Sequence, residues 1–206
     1  KLSHSHSAST TLSKRSLPSP ITVADYTGGH LLVATPVLHD PNFDRTVIFM
    51  LEHTNDGALG VVLSRPGHRT VGDAASPLAW LTGEDAIIFH GGPVSPEVAI
   101  AVGQCAPGSE GHESFSEIMH RVGTIDIAPN DRDSLAIERC RLFSGYSGWA
   151  PGQLEQELRE KAWFIVELHP NDVFTKTPEH LWEDVLKRQP GDLAWYANYP
   201  TVPNLN

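Results

Sequence analysis

Apolar positions along this chain fall into short runs, separated by turn-forming residues at regular intervals. Leu31–Ala34 (LLVA) reads as a strand, and Pro36 and Pro41 hold the connection after it extended. Phe43, within DPNFDR, reads as an anchor that pins this loop to the core. Thr46–Leu51 (TVIFML) is β-branched and aromatic and apolar on both faces, the pattern of a central strand. Asn55-Asp56-Gly57 is a strong turn signal, and Leu59–Leu63 is the return strand of the hairpin, ended by Arg65-Pro66.

Val71–Leu81 is read as helical or irregular, with Trp80 packing inward. Asp85–His90 (DAIIFH) is read as a buried strand that stops at Gly91-Gly92-Pro93, and Val98–Val102 as a further strand. Ser114–Arg121 is ambiguous. Val122–Ile127 is a strand before a Pro129-Asn130-Asp131 turn, and Ala136–Ser144 a strand leading to Gly145. A helix follows: Pro151 suits its first turn, Leu154 and Leu158 share one face, and Glu155, Glu157 and Glu160 face water. Ala162–Leu168 is a strand broken by His169–Asp172. Thr177 reads as the N-cap of a helix that runs to Arg188 with Leu181, Trp182, Val185 and Leu186 on its apolar stripe, and the last residues as a short strand or extended tail. Hairpin-linked strands with a few covering helices and no regular βα alternation predict an α+β fold.

Composition adds a boundary. Residues 1–20 are Ser- and Thr-rich, lack acids and carry +3 from Lys1, Lys14 and Arg15. They read as a disordered tail, residues 21–206 as one domain with enough apolar content for a sizeable core. His4 and His6 there read as tail rather than metal site, and a transit-peptide reading is weak because Arg is scarce. The chain carries −10 in all, so with the tail's +3 set aside the body carries −13. Such a body repels phosphate backbones, so direct nucleic-acid binding is disfavoured. Cys105 and Cys140 form no disulfide framework. They read as free buried thiols, a reactive thiol being the alternative, in a reducing, cytoplasmic setting. No apolar run reaches membrane-spanning length.

The chemical motifs are each weaker than they look. Gly145–Trp149 (GYSGW) misses the Gly-x-Ser-x-Gly nucleophile elbow by one position, and reads as a Gly-rich β-to-α connection. Gly145, Gly148 and Gly152 fit no phosphate-loop spacing. Glu52-His53 could do acid–base work, but adjacent strand residues point to opposite faces. Arg45 and Arg65 could bind an anion bidentately, or pair with Asp40, Asp44 or Glu52. His90-Gly91-Gly92-Pro93 resembles an oxyanion loop but lacks a nucleophile, and reads instead as a sharp turn or close backbone approach.

Taken in order, these residues resemble the YqgE/AlgH family: Leu31-Leu32-x-Ala34 with Pro36, Asp40 and Phe43; Arg45-Thr46-Val47; Glu52-His53; Gly57-Ala58-x-Gly60; Arg65-Pro66; Gly91-Gly92-Pro93-Val94; Gly145-Tyr146-x-Gly148-Trp149; and Gly152-Gln153-Leu154-Glu155. The resemblance covers roughly 28–200. Ser64 stands where an Asn commonly precedes Arg-Pro, and Ser147 where the family usually has Ala. The resemblance implies a compact α+β fold whose mixed, bifurcated sheet includes a small barrel flanked by helices. It also implies a bacterial cytoplasmic protein of a kind often labelled a transcriptional regulator, because one member is linked to alginate production. It supplies no catalytic residue, cofactor, metal or DNA-binding motif.

The expectation is therefore a non-enzymatic regulatory or binding module acting through a protein or small-molecule partner. Arg45, His53, Arg65, Tyr146, Trp149 and Gln153 are its candidate residues, lining a groove between the two dense stretches 28–66 and 143–163. The alternative is a hydrolase using His53 with Glu52 or a thiol, and a direct DNA-binding regulator ranks below both.

Overall fold

A computed structural model describes residues 27–126 and 135–199. In chain order its strands are β1 (His30–Ala34), β2 (Val47–Thr54), β3 (Gly57–Val62), β4 (Pro66–Thr70), β5 (Ile87–His90), β6 (Val94–Cys105), β7 (Phe115–Met119), β8 (Val122–Ile125), β9 (Ile137–Trp149) and β10 (Trp163–Glu167). The α-helices are short: α1 (Val71–Ala75), α2 (Ala79–Thr82), α3 (Gln153–Arg159), α4 (Pro170–Val173), α5 (Leu181–Lys187) and α6 (Leu193–Tyr196). The strands join in the order β10-β1-β2-β3-β9-β6-β8-β7, with β4 on β5 and β5 on β9. The expected tail (1–20), Ile127 and the Pro129-Asn130-Asp131 turn lie outside the described residues.

The sheet forks at β9. One stretch of this 13-residue strand pairs antiparallel with β6 and, at Phe89↔Phe143 and His90↔Ser144, parallel with β5. Its last three residues pair with β3, as Ala58↔Trp149, Leu59↔Gly148 and Gly60↔Ser147. Between the two halves sits Gly145 at φ 69°. A Cβ there would lie 2.8 Å from the carbonyl oxygens of Gly92 and Val94, so only glycine lets the strand bend while the neighbouring chain passes. The result is a curled half-barrel flanked by helices, an α+β fold.

Three apolar clusters fill the two faces. Val47, Phe49 and Val61 pack with Phe143 and the α5 stripe (Leu181, Trp182, Val185, Leu186) on one face. Ile48, Met50 and Val62 pack with Trp149, Leu154 and Trp163 under α3 on the other, and Phe43 anchors there, 5.6 Å edge-on to Trp163. A third cluster, with Leu142, Ala101 and Phe115, closes the β6–β8 end. β2 is thus buried on both sides, as its unbroken apolar run requires.

Several expectations change. GYSGW is strand, not a connection. The return strand does stop before Arg65-Pro66, but Pro66 also opens an unexpected edge strand, β4, where a missing N–H costs little. DAIIFH is only half-covered: Ile87 and His90 are exposed. Glu155 and Glu157 turn toward the sheet instead of water. Thr177 holds the N-cap position but makes no side-chain cap. The expected terminal strand is α6.

We expect Gly145→Ala to cost about 2 kcal/mol or more in urea unfolding. Gly108→Ala, also at positive φ but in open surroundings, should cost about 1 kcal/mol. Equal costs at the two sites would show that the crossing at Gly145 is not tight.

Candidate functional site

Five of the six candidate residues divide between the two ends of β2, whose 8 residues separate Arg45 from His53 by roughly 25 Å, and Tyr146 lies between them. The two dense stretches meet through β3 and β9 as hydrogen-bonded neighbours, and the six residues do not line one common groove.

At one end lie Arg45 and Arg65. Arg45, at φ 51°, stacks its guanidinium 4.7 Å over the Trp182 ring and donates to the Tyr199 carbonyl. Arg65, exposed, donates to the Asp44 carbonyl at 2.8 Å. Neither forms an ion pair with Asp40, Asp44 or Glu52 among the described residues.

At the other end, a β-bulge decides which residue meets α3. Met50 pairs with Gly60 and Glu52 with Leu59, leaving Leu51 as the extra residue. Strict alternation would put His53 on the Phe49 face. The bulge instead turns it toward α3, opposite Ala58, and sends Glu52 to the other side. His53 is 8% exposed. Its Nδ1 accepts the Thr27 backbone N–H at 3.0 Å, which leaves the proton on Nε2, where it donates to Glu155 Oε1 at 3.2 Å. The backbone N–H of Glu155, and next to it the His53 hydrogen bond, hold this carboxyl below its ordinary value of 4.5 against the opposing pull of desolvation.

Beside this pair, Glu157 Oε2 accepts the indole N–H of both Trp149 and Trp163, each at 2.8 Å, and its Oε1 accepts Gln153 Nε2 at 3.0 Å. The two rings meet edge-on at 6.1 Å. Trp149 also borders a shallow concavity of about 220 Å³ over the β2–β3 turn, with Glu52, Thr54 and Asp56. Tyr146 packs half-buried on the Phe49 face. His53, Trp149 and Gln153 are therefore brought together, but the polar atoms of His53 and Trp149 clamp α3 onto the sheet and those of Gln153 bond Ala150 and Glu157 at the helix start.

The nucleophile candidates are equally occupied. Ser147 is fully buried and donates to the Gly91 carbonyl at 3.3 Å. Gly91 N–H is spent on Ser144 at 2.9 Å, so the His90–Pro93 loop is a close backbone approach. Burial pushes the Cys140 thiol up to about 12 and raises Cys105 too, which removes thiolate character. Among the described residues no three His, Cys, Asp or Glu side chains converge as for a metal, and no helix is long and apolar enough to cross a membrane.

Open concavities also lie on the two sides of β5. Ile88 and His90 border a cleft of about 260 Å³ that His68, Arg69, Glu97 and Ser144 also line. Its far wall is an arch of β6: Val94 pairs with Tyr146 and Ala99 with Ser144, so the residues between swing out, with Ser95 at φ 46°. The sequence signals missed were Ser95-Pro96, a turn pair ahead of the apolar VAIAV, and the short alternation of Ile87–His90.

The family profile described as AlgH-like matches residues 31–194. The chain belongs to the AlgH-like family. It is 47% identical over 182 residues to a UPF0301 protein of Streptomyces coelicolor, covering 86% of this chain and 94% of that one. A Thermobifida fusca UPF0301 protein is 38% identical over 187 residues, with 86% and 94% covered. The fold is similar to a crystal structure of a Corynebacterium diphtheriae protein (TM-score 0.76, 29% identity, 84% of this chain and 92% of that one). It is also similar to the solution structure of Pseudomonas aeruginosa AlgH (TM-score 0.63, 25% identity, 92% and 100% covered).

Glu157→Ala leaves two indole N–H groups without an acceptor, and should cost roughly 2–4 kcal/mol in chemical denaturation. Glu157→Gln retains an acceptor and should cost less; an innocuous Glu157→Ala would mean that water replaces the carboxylate. Because the Glu155 value is depressed on folding, its contribution is present above pH 4.5 and lost as pH falls through the lowered value. The stability gap between wild type and Glu155→Gln should therefore be full at neutral pH and close in acid, and a gap independent of pH would contradict the assignment.

Proposed function

We propose that this AlgH-like protein is a non-enzymatic binding module of the cytoplasm, with a regulatory role exerted through a protein or small-molecule partner. The observation that carries this reading is the cleft bordered by Ile88 and His90. It brings Arg69, His68, His90 and Glu97 to an open, partly apolar hollow, whereas the side chains suited to chemistry at His53, Ser147 and the thiols are engaged within the fold. A concave, mostly preformed hollow with a few converging polar groups is the usual form of a recognition site. Arg45 and Arg65 stay in the reading as a second contact surface. Among the described residues their guanidinium groups hydrogen-bond backbone carbonyls only, leaving their charge for an acidic group on a partner.

The hydrolase reading needs His53 beside Glu52 or a thiolate. Strand alternation puts Glu52 and His53 on opposite faces of β2, and a thiol raised to about 12 is a poor nucleophile. Direct DNA binding needs a positive face on a body of −13, as counted above.

The test is affinity capture of the tagged protein from its native cell, followed by mass spectrometry of co-purifying proteins and metabolites, with wild type beside an Arg69→Glu, His90→Ala double variant. Both positions are exposed, so the variant should keep the wild-type melting curve and lose the captured partner. Capture that survives the double variant moves the site off the cleft. Turnover of an ester or amide that His53→Ala abolishes replaces the binding reading with the hydrolase one.

A further inference from the structure

The opposite side of β5 holds a second hollow, of about 510 Å³, where β5 and β9 part below their Phe89↔Phe143 pair. Its walls come from Ile87 and Phe89 of β5, Arg141 of β9, and Phe174, Lys176 and Pro178 from the segment that links α4 to α5. Most of this surface is apolar, and its two cations have one carboxylate nearby, Glu179, which is exposed at the edge.

Arg141 is the unusual member. It lies on the strand face of Phe143, its guanidinium 4.0 Å from the Phe89 ring centroid. Nη2 donates to the Thr175 carbonyl at 2.7 Å, and the buried Nη1 has no hydrogen-bond partner among the described residues. No carboxylate lies within ion-pair distance of it among the described residues. Burial pulls its value down to about 10, the direction expected of a cation withdrawn from water without a counter-ion. Its neighbour Arg139 shows the contrast: it also stacks on an aromatic ring, Phe174 at 4.6 Å, but its guanidinium is satisfied by Gln104 and Asn171. A buried charge is normally paired and fully hydrogen-bonded, because an unpaired one costs several kcal/mol, roughly, in solvation. A hollow of this size beside an uncompensated guanidinium and two aromatic rings has the chemistry of a site whose missing component is an anion with an apolar body.

We propose that this hollow binds a small amphipathic anion, an aryl or short-chain carboxylate or phosphate monoester, with Arg141 holding the anionic group, Lys176 adding charge at the rim, and Phe89, Ile87 and Phe174 covering the apolar part. The site lies on the other face of β5 from the cleft discussed above and stands independently of that reading.

Titration of the full chain with benzoate, phenyl phosphate, inorganic phosphate and benzyl alcohol, followed by amide NMR shifts, separates the alternatives. Benzoate or phenyl phosphate should give saturable shifts around Phe89, Arg141 and Thr175. Benzyl alcohol should give none, and inorganic phosphate should bind at least about tenfold more weakly than the better organic anion. Whichever organic anion binds more tightly identifies the head group. Arg141→Met keeps the volume and removes the charge. It should melt at or above the wild-type temperature when empty, since the uncompensated charge is gone, and lose about tenfold or more in affinity for the preferred anion. Arg141→Lys should bind with intermediate affinity. The proposal is overturned if neither organic anion gives saturable shifts, if benzyl alcohol binds as well as benzoate, or if Arg141→Met binds the anion as wild type does. Should Arg141→Met fail to fold, the wild-type panel and Lys176→Ala, expected to weaken binding about threefold, decide the question.

Discussion

The rest of the structure depends on the crossing of β9 with the His90–Val94 segment. A Cβ on Gly91 would lie 2.2 Å from the Gly145 oxygen, and one on Gly92 2.3 Å from the Tyr146 carbonyl group. Two backbones meet here with no space for side chains, and each supplies hydrogen-bond partners: Gly91 N–H to Ser144, Ser147 Oγ and Val62 N–H to Gly91 O. This contact allows one strand to belong to two halves of the sheet. It positions β3 against one end of β9 and β5 against its middle, and it places Ser147 in a buried structural role. The glycines that first suggest an oxyanion loop and a nucleophile elbow are the two sides of this crossing.

The second constraint is the docking of α3. A helix of 7 residues is too short to be stable alone. Leu154 and Leu158 supply its apolar contact with the sheet, and the acids at Glu155 and Glu157 convert it into a fixed one by accepting from His53, Trp149 and Trp163. Paired acids on a helix face normally indicate solvent, so the periodicity argument misassigned them. An indole needs an acceptor when its ring is buried, and two tryptophans at opposite strand ends needed the same one.

The backbone plan was legible where local rules suffice. The Asn55-Asp56-Gly57 turn, the doubly buried β2 and the α5 stripe follow from turn chemistry and apolar period, and Phe43 packs as its isolation within a polar loop suggests. The motif order also carried the family. Non-local facts were not legible. The bulge at Leu51 reverses which of Glu52 and His53 meets α3, and nothing in VIFMLEHT marks the extra residue. The pairing of β3 with β9 joins segments nearly 90 positions apart by a ladder. Arg141 had a signal that went unread. In the alternating stretch RCRLF it shares parity with Phe143, so a charged side chain was being sent to a covered face, where it needs a partner.

Charge then distinguishes the kinds of ligand this acidic molecule can accept. Screening limits electrostatic influence to about 8 Å at physiological salt. A polyanion laid across the surface meets a body whose formal charge is −13. A small anion inside a hollow is governed by the few groups within reach, and there a desolvated guanidinium outweighs distant surface carboxylates, because the effective dielectric falls with burial. Short, two-faced β5 makes this possible. Its alternation sends Ile88 and His90 to one hollow and Ile87 and Phe89 to the other, so two hollows, one edged by Arg69 and Glu97 and the other by Arg141, sit back to back across one strand. A ligand that orders either face bears directly on β5 and on its pairing with β9. Leu142 of β9, which lines both hollows, is where they come together.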